Sequence, residues 1–207
     1  MILSKEQMQR VIDGVIGYVP GCPDAAIKAS VDSSTNDFIR DIGGIKEKFG
    51  PFPMNHVHGM IVLTAPFVGR VASVEKVFAC HGEVAKAAYS VITEEDGTAK
   101  VVISGVGIPR HAHGDFVTVL YSWFPGERTT QLPPQWFDAH VDALEHAAIS
   151  HLASQIGRPW GNEAIAAMYR DEYAKNVSDC ILESRRNENR GGAVSFFDKN
   201  EPWCFGF

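Results

Sequence analysis

The 207-residue chain predicts an α+β fold: a mixed or antiparallel sheet with about four helices packed on it. Three observations predict it. Apolar residues recur at helical spacing in the first 50 residues and again after residue 133; β-branched residues concentrate between those stretches; and the order runs helices, strands, helices, strands instead of alternating strand with helix. The length suits one domain over 1–207, with an N-terminal helical segment over about 1–50 and a sheet-containing core over about 55–207.

Ser4-Lys5-Glu6-Gln7 has the form of a capping box, in which Ser4 accepts from the third helical amide and Gln7 reaches back. Met8, Val11, Ile12 and Val15 then give one apolar side, so a helix is expected over 5–17, closed by Tyr18-Val19-Pro20-Gly21. A second helix is expected from Pro23-Asp24 to Lys48, with Ile27, Val31, Phe38, Ile42 and Ile45 on its apolar side and weak points at Ser33–Asn36 and Gly43-Gly44. Gly50-Pro51-Phe52-Pro53 reads as a breaker. Beyond it strands are expected over 59–64 and 70–78, a short helix over 82–92, and a hairpin turn at Glu94-Glu95-Asp96-Gly97 leading into a strand over 99–106. Residues 116–124 are apolar on both faces, which places that strand centrally in a sheet.

Pro133-Pro134 opens a helix expected to reach Ile156, with Phe137, Val141, Leu144, Ala148, Leu152 and Ile156 on one stripe and Gly157 and Pro159 beyond its end. Asn162 can cap a further helix to about Lys175, and strands are expected over 177–183 and 193–197 around a polar loop over 185–192.

Composition narrows the classes of partner. The net charge of −6 repels a phosphate backbone, and the densest basic spot, Arg185-Arg186 with Arg190, is interrupted by Glu183 and Glu188, so no nucleic-acid partner is expected. No stretch approaches the roughly 18 apolar residues of a spanning helix, and Met1–Glu6 lacks the basic-then-apolar pattern of a signal peptide, so no membrane partner and a cytoplasmic location are expected. Cys22, Cys80, Cys180 and Cys204 are irregularly spaced and form no Cys-x-x-Cys step, which suits free thiols and excludes a zinc knuckle built on that step. The tail, Glu201-Pro202-Trp203-Cys204-Phe205-Gly206-Phe207, carries three large aromatic residues that suit docking, onto its own domain or across a homo-oligomer contact.

The strongest chemical signal is a pair of His-x-His steps, His56-Val57-His58 and His111-Ala112-His113, each at the entrance to a strand. In an extended segment residues i and i+2 point to one face, so each step can offer two imidazoles to one ion. With Asp115 as a further ligand or proton carrier, the set suits zinc, iron or manganese, and an incomplete shell leaves room for water. The function expected is a metal-dependent enzyme, a hydrolase or lyase acting on a small-molecule substrate. The plain structural alternative is two pairs of ordinary loop histidines.

Residues His111-Ala112-His113-Gly114-Asp115 resemble the start of the His-x-His-x-Asp-His motif of metallo-β-lactamase-fold hydrolases, but Phe116 stands where that motif needs its third histidine. His81-Gly82-Glu83 resembles the His-x-Glu step of zinc nucleoside deaminases, but the partner Pro-Cys-x-x-Cys is absent. Neither family's ligand set can be carried over.

Two other readings compete. Cys22 lies just before an expected helix N-terminus, where the dipole favours thiolate, and could serve as the nucleophile of a hydrolase or transferase with His58 or His113 as its base. A non-catalytic interaction or assembly protein is the third reading. On the helix beginning at Pro134, Asp142 and His146 stand four apart, and His140 and His151 flank the apolar stripe as boundary histidines.

Overall fold

The computed structural model describes residues 2–54, 59–63, 69–79, 82–94, 98–103 and 115–189. Its elements are four helices and two antiparallel sheets, the α+β class expected.

Helix α1 spans Lys5–Ile16 and α2 spans Asp24–Asp41. The capping box is formed: the Gln7 amide donates to Ser4 Oγ at 3.2 Å and the Ser4 amide donates to Gln7 Oε1 at 3.1 Å. Helix α2 stops seven residues short of the expected Lys48. Gly43 and Gly44 take φ of +79° and +100°, and the chain turns into strand β1, Ile45–Met54. A side chain on Gly44 would put its Cβ 3.1 Å from the Trp123 carbonyl oxygen, so the turn needs glycine for space as well as for φ. The Gly-Pro-Phe-Pro segment lies inside β1 as an irregularity between Phe49 and Phe52, and does not end the strand. Proline is tolerated there because β1 is an edge strand among the described residues.

The sheet strands are β2 (Gly59–Leu63), β3 (Arg70–Ala79), β4 (Gly82–Glu83), β5 (Tyr89–Thr93), β6 (Ala99–Ile103) and β7 (Asp115–Phe124). One sheet has the order β1-β7-β3-β4 and the other β2-β6-β5. The expected helix over 82–92 is instead β4, a single 3-10 turn at Lys86–Ala88, and β5. Pairing of Glu83 with Phe78 and of β5 with β6 overrides the local helix preference of the alanines. Strand β7 is central as expected, with Val117, Val119, Tyr121 and Trp123 buried on one face.

Helix α3 spans Pro134–Ala153 and α4 spans Glu163–Asn189. Ile156, expected on the buried stripe of α3, lies beyond its end and is 97% exposed, while Gly157 turns the chain at φ +80°. Asn162 caps α4 by accepting from the Ala164 and Ile165 amides. The strand expected over 177–183 is helical. Tyr169, Tyr173 and Val177 recur every four residues against the core, a helical period and not an alternating one. Residues 193–197 and the aromatic tail lie outside the described residues.

Helix α3 touches α1, α2 and α4, and one contiguous core joins these helices to both sheets, from Val11, Ile27 and Phe38 through Leu144 to Val119 and Val101. Among the described residues no helix is long and apolar enough to cross a membrane.

Candidate functional site

His56, His58, His111 and His113 lie outside the described residues, but the strands that lead to them do not. The last residue of β1, Met54, pairs with the first residue of β7, Asp115. The first residue of β2, Gly59, pairs with the last residue of β6, Ile103. The connection carrying His56 and His58 (55–58) and the connection carrying His111 and His113 (104–114) therefore run between the same two strand pairs. Phe52 and Ala79 both pair with Val117, so the Cys80-His81 connection from β3 to β4 leaves the sheet at that same end. Asp115 belongs to β7 by its backbone and by its partner Met54.

The described histidines all lie on α3, and each is engaged. The His140 ring lies 5.5 Å from Phe38 and 4.8 Å from Trp136 between centroids, and burial pushes its pKa down to about 4. His146 Nδ1 is 3.0 Å from Asn176 Nδ2, which donates to it. His151 Nδ1 is 3.1 Å from Ser30 Oγ. Asp142 and His146 do not join a larger ligand set: among the described residues no three His, Cys, Asp or Glu side chains are grouped to hold a metal ion.

Cys22 is partly exposed just before α2, as expected, with Pro23 as the N-cap residue. Burial raises its thiol pKa, the opposite direction to the thiolate expected of a helix N-terminus. Cys180 is also a free thiol raised by burial, while Cys80 and Cys204 lie outside the described residues.

Two polar arrangements carried no signal in the sequence. The first is Glu47, whose carboxyl faces the core side of β1 and accepts from the Tyr121 hydroxyl at 3.4 Å; burial raises its pKa. The second is a groove of about 520 Å³ between α2, α3 and α4, with Asp37 and Asp41 on one wall, Arg170 and Tyr173 on the other, and His151 at its floor. Asp37 and Asp41 are one turn apart on α2, and Arg170 and Tyr173 are three apart on α4. Such spacings are common in helices, and nothing local says that two helices far apart in sequence face each other across a third.

No protein-family model matches the chain, and no curated protein matches it.

Proposed function

We propose that the protein is a metal-dependent enzyme, a hydrolase or lyase acting on a small molecule, whose ion is held by His56, His58, His111 and His113 with Asp115 as ligand or proton carrier. The observation that carries this reading is the double register, Met54 with Asp115 and Gly59 with Ile103, which ties both His-x-His connections to the same two strand pairs. At 3.8 Å per residue and about 5 Å between paired Cα atoms, the Cα atoms of His56 and His113 are at most about 20 Å apart, and every added constraint shortens that. His81, which follows β3 at the same end, is a further candidate ligand. A divalent ion there supplies an acidified water or polarises a substrate oxygen.

The experiment is metal content and thermal shift on protein purified without a polyhistidine tag. About one zinc, iron or manganese per chain is expected, and added zinc or manganese should raise the melting temperature of the wild type. His56→Ala and His111→Ala, one from each step, should each lose most of the metal while keeping the wild-type far-UV circular dichroism. Absence of stoichiometric metal overturns the reading, and so does retention of full metal content in either variant.

A further inference from the structure

We infer that the groove between α2, α3 and α4 is a binding site for a small zwitterion of the free amino-acid class, separate from the proposed metal centre. Its lining includes small residues, Ala147 and Ser150 of α3, Ser154 at the C-cap of that helix, and Ser33 and Ser34 of α2, around about 520 Å³ of open space. That volume lies in the range of small-molecule sites.

The charges in the groove are divided by wall. Asp37 and Asp41 stand on the α2 side, and Arg170 stands on the α4 side. The opposite charges do not neutralise one another. Asp37 is paired on its own helix with Arg40 at 3.1 Å, Asp41 accepts from the Tyr173 hydroxyl at 2.6 Å, and among the described residues Arg170 has no carboxylate within 4 Å. A planar guanidinium without an ion pair is suited to a carboxylate, which it can grip with two parallel hydrogen bonds. Across the gap, two carboxylates with oxygen lone pairs to spare are suited to an ammonium group. A ligand carrying only one charge would engage one wall and make no charged contact with the other.

Two contacts hold the walls in place. The Tyr173–Asp41 hydrogen bond ties α4 to α2 across α3. Ser30, nearly fully buried, is 3.1 Å from His151 Nδ1 and 3.3 Å from the Ala148 carbonyl oxygen, and so fixes the imidazole against α2. The groove is therefore framed before any ligand arrives, which lowers the ordering cost of binding.

The test is ligand-observed NMR with each of the twenty free L-amino acids at millimolar concentration, with acetate and ethylamine as singly charged controls. At least one amino acid should bind, and both controls should bind at least tenfold more weakly. Arg170→Gln and Asp37→Asn should each weaken binding about tenfold or more, the scale of one charge-assisted contact, without lowering the melting temperature. Because Asp37 and Arg170 are surface side chains, neither variant threatens folding. Binding by none of the twenty overturns the inference. Equal binding of either control, or affinity unchanged in both variants, overturns it as well. All of these readouts are independent of metal, so they stand apart from the test of the proposed enzyme.

Discussion

The imidazole of His140, packed among Phe38 and Trp136, is neutral in the folded protein, with its pKa pushed down to about 4 by burial. In the unfolded chain a histidine titrates near 6.5. Between those values the unfolded chain holds a proton that the folded one excludes, so stability is fully present above about pH 6.5 and falls as the pH drops through the window. Glu47 acts with the opposite sign: its raised carboxyl pKa gives a contribution present at low pH and lost as the pH rises. The comparison that isolates His140 is urea unfolding at pH 7 and pH 5 for the wild type and His140→Phe. The wild type should lose about 1–2 kcal/mol more than the variant on going to pH 5. Equal losses would show that His140 does not carry the dependence. His140 stands in the sequence as a boundary histidine, and its partial burial depends on Phe38, about 100 residues earlier, which no local pattern connects to it.

Gln7 shows how much of an element the sequence disclosed and where it stopped. The capping box was legible because it involves residues three apart. The larger role was not: the 8% exposed Gln7 side chain also donates to the Leu132 carbonyl at 2.9 Å and accepts from the Leu132 amide at 3.2 Å, tying α1 to the segment that precedes α3. Replacing it strands three backbone groups. Gln7→Met should cost about 2–4 kcal/mol in chemical unfolding, against about 1 kcal/mol for Ser4→Ala, which removes the cap alone. A Gln7 variant no worse than the Ser4 variant would show that the bridge to Leu132 contributes nothing. Gly69 offers a second test in the sheet. A Cβ there would lie 2.5 Å from the fully buried Trp123 ring and 2.6 Å from the Phe124 carbonyl oxygen, so Gly69→Ala should lower stability by about 1–3 kcal/mol. The strands were legible where β-branched residues run together, as in β3 and β7. Residues 82–92 and 177–183 misled because their periods are short and their partners, β3, β6 and the core, are non-local.

At the scale of the molecule, the central position of β7 and the α+β class follow from pattern and order. The candidate sites do not. The His-x-His steps are visible in the sequence, but what relates their two connections is the strand register, which a one-dimensional pattern does not contain. The groove is less legible still, because its lining is drawn from α2, α3 and α4, which are far apart in sequence.

That arrangement also sets a schedule. Helices α1 and α2 pack on α3, yet about 90 residues separate the end of α2 at Asp41 from the start of α3 at Pro134. At a synthesis rate of about 5–20 residues per second, the apolar sides carrying Val11, Ile27 and Phe38 emerge roughly 5–20 seconds before their partner exists. During translation the first two helices are therefore a sticky nascent segment whose burial against α3 must await the last third of the chain, and the newborn protein should be a client of ribosome-associated chaperones.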